Sequence, residues 1–238
     1  MTTTDIAKRL AALDWPALGC AIAEFGYARS GPFLDGAECA ELISLYVEDA
    51  LFRRTIDMAR FRFGEGEYRY FAAPLPEPVR ALRHGLYPHL APLANAMMAA
   101  LRRPHRYPAQ LDDFLGHCHT AGQTRPTPLL LRYQAGGFNC LHRDLYGEVL
   151  FPLQATLCLS RPGQDYDGGA FLLAEGRPRQ QTRAEAIDLR QGEMILFPTA
   201  DRPVVGARGP LAAAMRHGVS RLARGERYAL GIIFHDAA

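Results

Sequence analysis

Beyond Pro126 the chain breaks into short apolar runs at close intervals: PLLLRYQA, VLFPLQATLCLS, GAFLLAE, AIDLR, EMILFPT, RPVVGAR, PLAAAMRHGVSRL and RYALGIIFH. Gly, Pro and Asp separate them, as in RPGQDYDGG and LRQGE. Most of these runs are too short for ordinary helices, and the residues between them are those that build tight turns. This texture constrains the fold more than any other feature. It predicts an antiparallel sandwich or barrel from about 126 to 235.

The preceding stretch reads as mainly helical. Asp35-Gly36-Ala37-Glu38 has the spacing of a capping box, and Cys39, Leu42, Ile43, Tyr46 and Val47 follow at helical intervals, so a helix is expected over about 36–49. Residues 78–101 read as a long amphipathic helix with breaks near Pro88 and Pro92, and 108–119 as a short one. RRTIDMARF and GEYRYFAA look like strands joined by the turn Gly64-Glu65-Gly66. The glycines and aromatics of FRFGEGEYRYF, residues 61–71, suit a loop that closes over a site. No linker divides the two textures. The reading is an α+β protein in which a mainly helical region, 1–125, packs on one face of a β-rich core, 126–238, as one structural unit.

Composition narrows the class. The chain has 238 residues, 48% of them hydrophobic, enough for a sizeable core. No apolar run approaches the length that spans a bilayer, so no membrane partner is expected. MTTTDIAKRLAALDWPALG carries charge early and lacks the apolar run of a signal peptide. The five cysteines are odd in number and widely spaced, which points to reduced thiols and a cytoplasmic protein. A net charge of +2, with basic residues in small clusters such as Arg53-Arg54 and Arg102-Arg103, is thin for a nucleic-acid footprint.

In YQAGGFNCLHRDLYGE, His142 and Asp144 are two residues apart, so on a strand both side chains face one side while Arg143 points away. One such pair is weak evidence. His217, in AMRHGVSRL, lies on a different predicted strand and would complete two imidazoles and one carboxylate. That set leaves three positions open on an octahedral ion, the arrangement of non-haem Fe(II) oxygenases, whereas structural zinc prefers four closed ligands. Arg227 follows ten residues after His217. Read as a hairpin, HGVSRL–ARGE–RYALGIIF would set Arg227 on the neighbouring strand, where a guanidinium can grip the far carboxylate of a dicarboxylate co-substrate.

With these elements in order, the chain resembles the Fe(II)- and 2-oxoglutarate-dependent dioxygenases, most closely the branch that includes prolyl 4-hydroxylases. The resemblance spans about 126–235 and rests on RYQAGGFNCLHRD, DGGAFLL, LRQGEMILFPT and RHGVSRLARGERYALGIIFH. It implies a double-stranded β-helix, or jelly roll, with His142, Asp144 and His217 as catalytic iron ligands. Arg227 would bind the C5 carboxylate of 2-oxoglutarate, with Tyr133 sharing it. The implied reaction uses Fe(II), 2-oxoglutarate and O2 to hydroxylate an unactivated C–H bond, releasing succinate and CO2. Ala170 stands where relatives often carry Glu, and the first 125 residues show no known substrate module, so the substrate is the open part.

A protein side chain of prolyl type or a small molecule is the first expectation for the substrate, with Phe138 and Tyr146 as candidates for its contacts. Alkylated nucleic acid, demethylated oxidatively, ranks second. HGV with RYALGIIF fits that branch, but its second Arg is missing near Ile233. A cupin-like jelly roll that binds metal or ligand without turnover is the non-enzymatic alternative. The remaining candidates read as structural: His117-Cys118-His119 sits on a helix where such neighbours diverge, His235 is a framework residue, and Cys140 is a small buried apolar group.

Overall fold

The computed structural model describes residues 2–206 and 209–238. The first part of the chain forms α1 (Thr3–Ala11), α2 (Trp15–Phe25), β1 (Ala28–Pro32), α3 (Gly36–Ser44), β2 (Phe52–Asp57), β3 (Gly64–Glu65), β4 (Glu67–Phe71), α4 (Glu77–Ala100) and α5 (Leu111–Thr120). Strands then follow one another: β5 (Leu129–Gln134), β6 (Phe138–His142), β7 (Leu153–Cys158), β8 (Tyr166–Gly168) and β9 (Phe171–Gly176). The last are β10 (Arg183–Ile187), β11 (Glu193–Pro198), β12 (Asp201–Gly206), β13 (Gly209–Val219) and β14 (Leu222–Ile232). RPVVGAR is a strand as far as Gly206; its last two residues lie outside the described residues. No helix among the described residues is long and apolar enough to cross a membrane.

Local signals place the helices. The Thr2 hydroxyl caps α1, the Asp14 carboxylate caps α2, and Gly26 closes α2 in the left-handed conformation. The capping box at Asp35 and Glu38 forms in full, but α3 ends at Ser44 and only a 3-10 turn continues to Val47. Residues 59–61 likewise form a 3-10 turn, so the strand of RRTIDMARF stops at Asp57. Helix α4 runs through Pro88 and Pro92 unbroken. Each proline costs roughly 3 kcal/mol in a helix interior. The buried stripe Val79, Leu82, Leu86, Leu90, Ala94 and Met98 offsets that cost by packing against the sheet.

The strands make two facing antiparallel sheets, the double-stranded β-helix. The larger has the order β1-β11-β7-β14-β5-β4-β2, with β8 on β14; the smaller has β10-β9-β13-β6-β3, with β12 on β13. The helical half thus lends β1, β2 and β4 to the larger sheet. Its register sorts side chains by the period of two. Leu130, Leu157, Met194, Leu196, Leu230 and Ile232 face the helices and join their core. Leu131, Tyr133, Gln154, Thr156, Arg227 and Ala229 face the cleft between the sheets. Buried Arg83 on α4 donates to the carbonyls of Ile233 and Phe234 and pairs with Asp236, fixing the chain beyond β14.

The hairpin expected between the His217 and Arg227 strands does not form. β13 belongs to the smaller sheet and β14 to the larger, and the two-residue link Ser220-Arg221 carries the chain across. β13 already has β9, β6 and β12 as partners, and β14 has β5, β7 and β8, which leaves neither an edge for the other.

Candidate metal centre and facing cation

The smaller sheet carries the candidate ligands. His217 lies directly opposite His142 across β13 and β6, and their ring centroids are 4.2 Å apart. Asp144 follows just after β6 and turns back between them: Oδ1 is 3.4 Å from Nε2 of His142, and Oδ2 is 3.3 Å from Nε2 of His217. One ligand atom from each of the three lies within 4.8 Å of the others, near enough for a single ion. The Nδ1–H of His142 donates to the Cys140 carbonyl at 2.8 Å, so its Nε2 lone pair faces the cluster.

A β-bulge makes this possible. Val219 pairs with Asn139 and His217 with His142, so three steps on β6 match two on β13. Asn139 and His142 therefore both enter the cleft, and Cys140 turns out to solvent rather than into the core as expected. Gly218 sits inside the bulge. A Cβ there would come 2.5 Å from the Asn139 carbonyl, so no larger residue fits without moving the strand. Arg143 does not point away from the site. It lines the cavity edge and faces Asp201 at 3.6 Å.

Electrostatics hold the three ligands as a set. Burial alone would raise the Asp144 carboxyl, but the His217 and His142 imidazoles keep it well below the ordinary carboxylate range. His142 loses stability for its proton to burial yet is raised overall by the Asp144 carboxylate. His217 is lowered by burial and by the neighbouring His142, against Asp144. The buried Nδ1 of His217 has no hydrogen-bond partner. The rings of Phe171 and Phe197 pack on His217 at 6.0 and 4.8 Å.

The opposite wall carries the cation. Arg227 pairs with Tyr133 across β14 and β5, is 1% exposed, and lines the same cavity as the triad. Its guanidinium lies 5.8 Å from the rings of both Tyr133 and Tyr166, and its Nε has no partner. Burial works against its charge, while Cys158, Tyr166 and Tyr133 favour it, Tyr166 also through a side-chain hydrogen bond, and it forms no salt bridge with a carboxylate among the described residues. A buried cation with no counter-charge is costly unless an anion completes it. Burial pushes the Tyr133 phenol up to about 12, so it is a neutral hydroxyl, and the Asn139 amide donates to it at 3.4 Å.

The cavity measures about 190 Å³, with Phe63, Tyr68, Tyr146, Phe171, Val219 and Ile233 among its apolar walls. Phe138 does not line it. That ring faces a shallow neighbouring depression under Arg221, 5.1 Å away. Tyr146 does line it, and its hydroxyl bonds Asp144. Of the stretch 61–71, Phe61 and Phe63 are exposed and stacked at 5.7 Å, Phe63 lines the cavity, and most of the remainder is β3 and β4. Cys118 is buried on α5 while His119 turns to Asp236, away from any cluster. His235 is fully buried, accepts the Phe151 N–H through Nδ1, and is pushed down to about 4 by burial.

Three residues around the site escape a reading by motif: Gln154, which lines the cavity, and Tyr166 and Cys158, which flank Arg227. Gln154 was recoverable as the polar residue in LQATLC, buried with its amide nitrogen 3.2 Å from Nε2 of His217 and its oxygen unpartnered. Tyr166 reaches Arg227 from β8, a three-residue strand with no periodicity to read.

Residues 66–237 match the sequence profile of the family Oxygenase-NA, described as an oxygenase catalysing oxidative methylation of damaged DNA. An uncharacterized protein of Mycobacterium tuberculosis is 51% identical over 168 residues, 71% of this chain and 72% of that one. In fold, the chain is similar to a Pseudomonas putida prolyl-4-hydroxylase, with a TM-score of 0.54, 16% identity, and coverage of 94% of this chain and 100% of the other. It is also similar to a 2OG-Fe(II) oxygenase family oxidoreductase from Burkholderia pseudomallei, with a TM-score of 0.52, 16% identity, and coverage of 94% and 93%.

Proposed function

The chain belongs to the Oxygenase-NA family of oxygenases, and on that premise we propose that it is a non-haem Fe(II)- and 2-oxoglutarate-dependent oxygenase that hydroxylates an alkyl C–H bond. One observation carries this reading: the buried cation Arg227, which forms no ion pair among the described residues, shares a small cavity with His142, Asp144 and His217 on the facing sheet. A metal alone would not need it. A ligand with an anionic end at Arg227 and a chelating end at the triad would use both.

The residues fit that pair of groups. His142, His217 and Asp144 offer the two-nitrogen, one-oxygen set that suits Fe(II) with positions left open. Bound iron with its 2-oxo acid supplies the O2 chemistry. Arg227 would grip the distal carboxylate of 2-oxoglutarate, with the neutral Tyr133 hydroxyl beside it. Apolar walls keep water from the reacting groups. Residues 126–238 would form the catalytic core, with 1–125 packed on it as part of one unit.

For the prime substrate, the family description reverses the order that the sequence suggests. We propose an alkylated base in damaged nucleic acid. Support comes from Phe63 and Tyr68, which line the cavity, with the exposed Phe61 stacked on Phe63, and these offer faces on which a base can stack. The balance is R–CH3 + O2 + 2-oxoglutarate giving R–CH2OH + succinate + CO2. On a ring nitrogen the hydroxymethyl group then leaves as formaldehyde. With a net charge of +2, affinity should be modest.

The test is succinate release. Protein loaded anaerobically with Fe(II) and 2-oxoglutarate is exposed to O2 alone, with methylated oligonucleotides, and with proline-containing peptides. Slow release alone and faster release with the oligonucleotide are expected. Stimulation by peptide only would replace the substrate and keep the reaction class. No succinate in any arm would defeat the proposal.

A further inference from the structure

Tyr146 stands two residues beyond Asp144, and its hydroxyl donates to Oδ1 of that carboxylate at 2.6 Å. Both carboxylate oxygens already face imidazoles, Oδ1 toward His142 and Oδ2 toward His217. A carboxylate in such a place can bind an ion through one oxygen or through both. The choice has a chemical consequence. Two imidazoles and one oxygen leave three positions on an octahedral ion: two for a chelating 2-oxo acid and one for O2. A carboxylate bound through both oxygens leaves only two.

We propose that Tyr146 is a positioning residue: by holding Oδ1 it commits Asp144 to bind the metal through Oδ2 alone, and so keeps the third position open. The proposal rests on the Fe(II) and 2-oxoglutarate reading above.

The hydrogen bond is of the strong kind, a hydroxyl on a charged oxygen. Asp144 is only 6% exposed, so solvent cannot readily take the place of the phenol. The Tyr146 ring is also held from behind. It packs edge-on to Tyr70 at 6.3 Å and tilted against buried His235 at 6.2 Å. Tyr70 in turn is edge-on to Tyr68 at 5.4 Å. Tyr68 and Tyr70 lie on β4, in the larger sheet, while Asp144 follows a strand of the smaller one. The ligand's orientation is thereby referred to the opposite wall, where Arg227 sits.

The decisive variant is Tyr146→Phe, which keeps the ring and removes only the donor. Mn(II) is the probe, because its effect on water-proton relaxation reports the exchangeable waters on the bound ion. Mn(II) should still bind Tyr146→Phe. Its relaxation effect in the binary complex should fall by about one third, as three water positions become two. In the complex with Mn(II) and 2-oxoglutarate, which takes two positions, wild type should keep one exchangeable water on the ion and Tyr146→Phe should keep none. Tyr70→Phe, which leaves the Asp144 contact in place, should change both values far less. Unchanged relaxation per bound ion in both the binary and the 2-oxoglutarate complex would overturn the proposal. So would weakened Mn(II) binding with normal relaxation, since that would make Tyr146 a packing residue. Failure of the wild-type protein to bind 2-oxoglutarate with Mn(II) would instead defeat the underlying reading, whatever the variant does.

Discussion

The two walls of the cleft solve opposite problems. On the smaller sheet, Asp144 lies between two imidazoles and accepts the Tyr146 hydroxyl, so its charge is answered within the protein. On the larger sheet, Arg227 is just as buried and forms no salt bridge with a carboxylate among the described residues. On one wall the charge is answered within the protein, and on the other it waits for an anion. The difference teaches that the fold stabilises the metal side for itself and leaves the cation as a cost that a bound dicarboxylate would remove.

The comparison breaks most visibly at the triad. His217→Ala should reduce Fe(II)-dependent succinate release to background, because no other described residue sits where it could replace the lost imidazole. Retained turnover would refute the ligand assignment. Arg227→Met sharpens the contrast, since it should raise the 2-oxoglutarate Kd by the equivalent of about 2–5 kcal/mol while leaving Mn(II) affinity near wild type. The same variant should unfold in urea no earlier than wild type, and by up to about 1–4 kcal/mol later, since an apolar side chain replaces an unpaired buried charge. A large loss of stability would mean that Arg227 has a structural partner in the protein.

A third test concerns His235, which the helix-packed end of the larger sheet keeps neutral down to about pH 4. Its folded value is depressed below the unfolded value of about 6.5, so the unfolded chain binds the proton that the folded chain refuses. Stability should therefore fall as pH drops from about 6.5 to about 4, by on the order of 3 kcal/mol, and then level off with respect to this group. Urea titrations of His235→Gln should show a flatter dependence over that window; an identical slope would remove His235 as the cause. The smallest effect belongs to His119→Ala. The half-exposed pair with Asp236 should contribute under about 1 kcal/mol, with no change in metal binding.

Much of this site was legible because its chemistry sits in ordered residue types. His142, Asp144 and His217 could be chosen from type and strand period, and the structure brings them together. What escaped depends on pairing. Arg227 was placed beside His217 because ARGE was read as the turn of a hairpin, yet the chain crosses earlier, at Ser220-Arg221, and both strands have all their edges taken by others. Cys140 was taken as buried because free cysteines usually are, yet a bulge that a sequence does not mark turns it out to solvent. Helix α4 was expected to break at its prolines because propensity is local, while the stripe that holds it together is tertiary.

Ser220 and Arg221 join the two walls by the shortest route, with the Ser220 amide bonded to the Ala170 carbonyl and that of Leu222 to the Gly137 carbonyl. The covalent chain itself thus acts as a gauge for the gap that a bridging molecule must fill. A single residue inserted in this crossing would shift every later position on β14 by one, turning Arg227 toward the helices and bringing a neighbour to face the candidate metal centre. Length, more than composition, is what this short tie conserves.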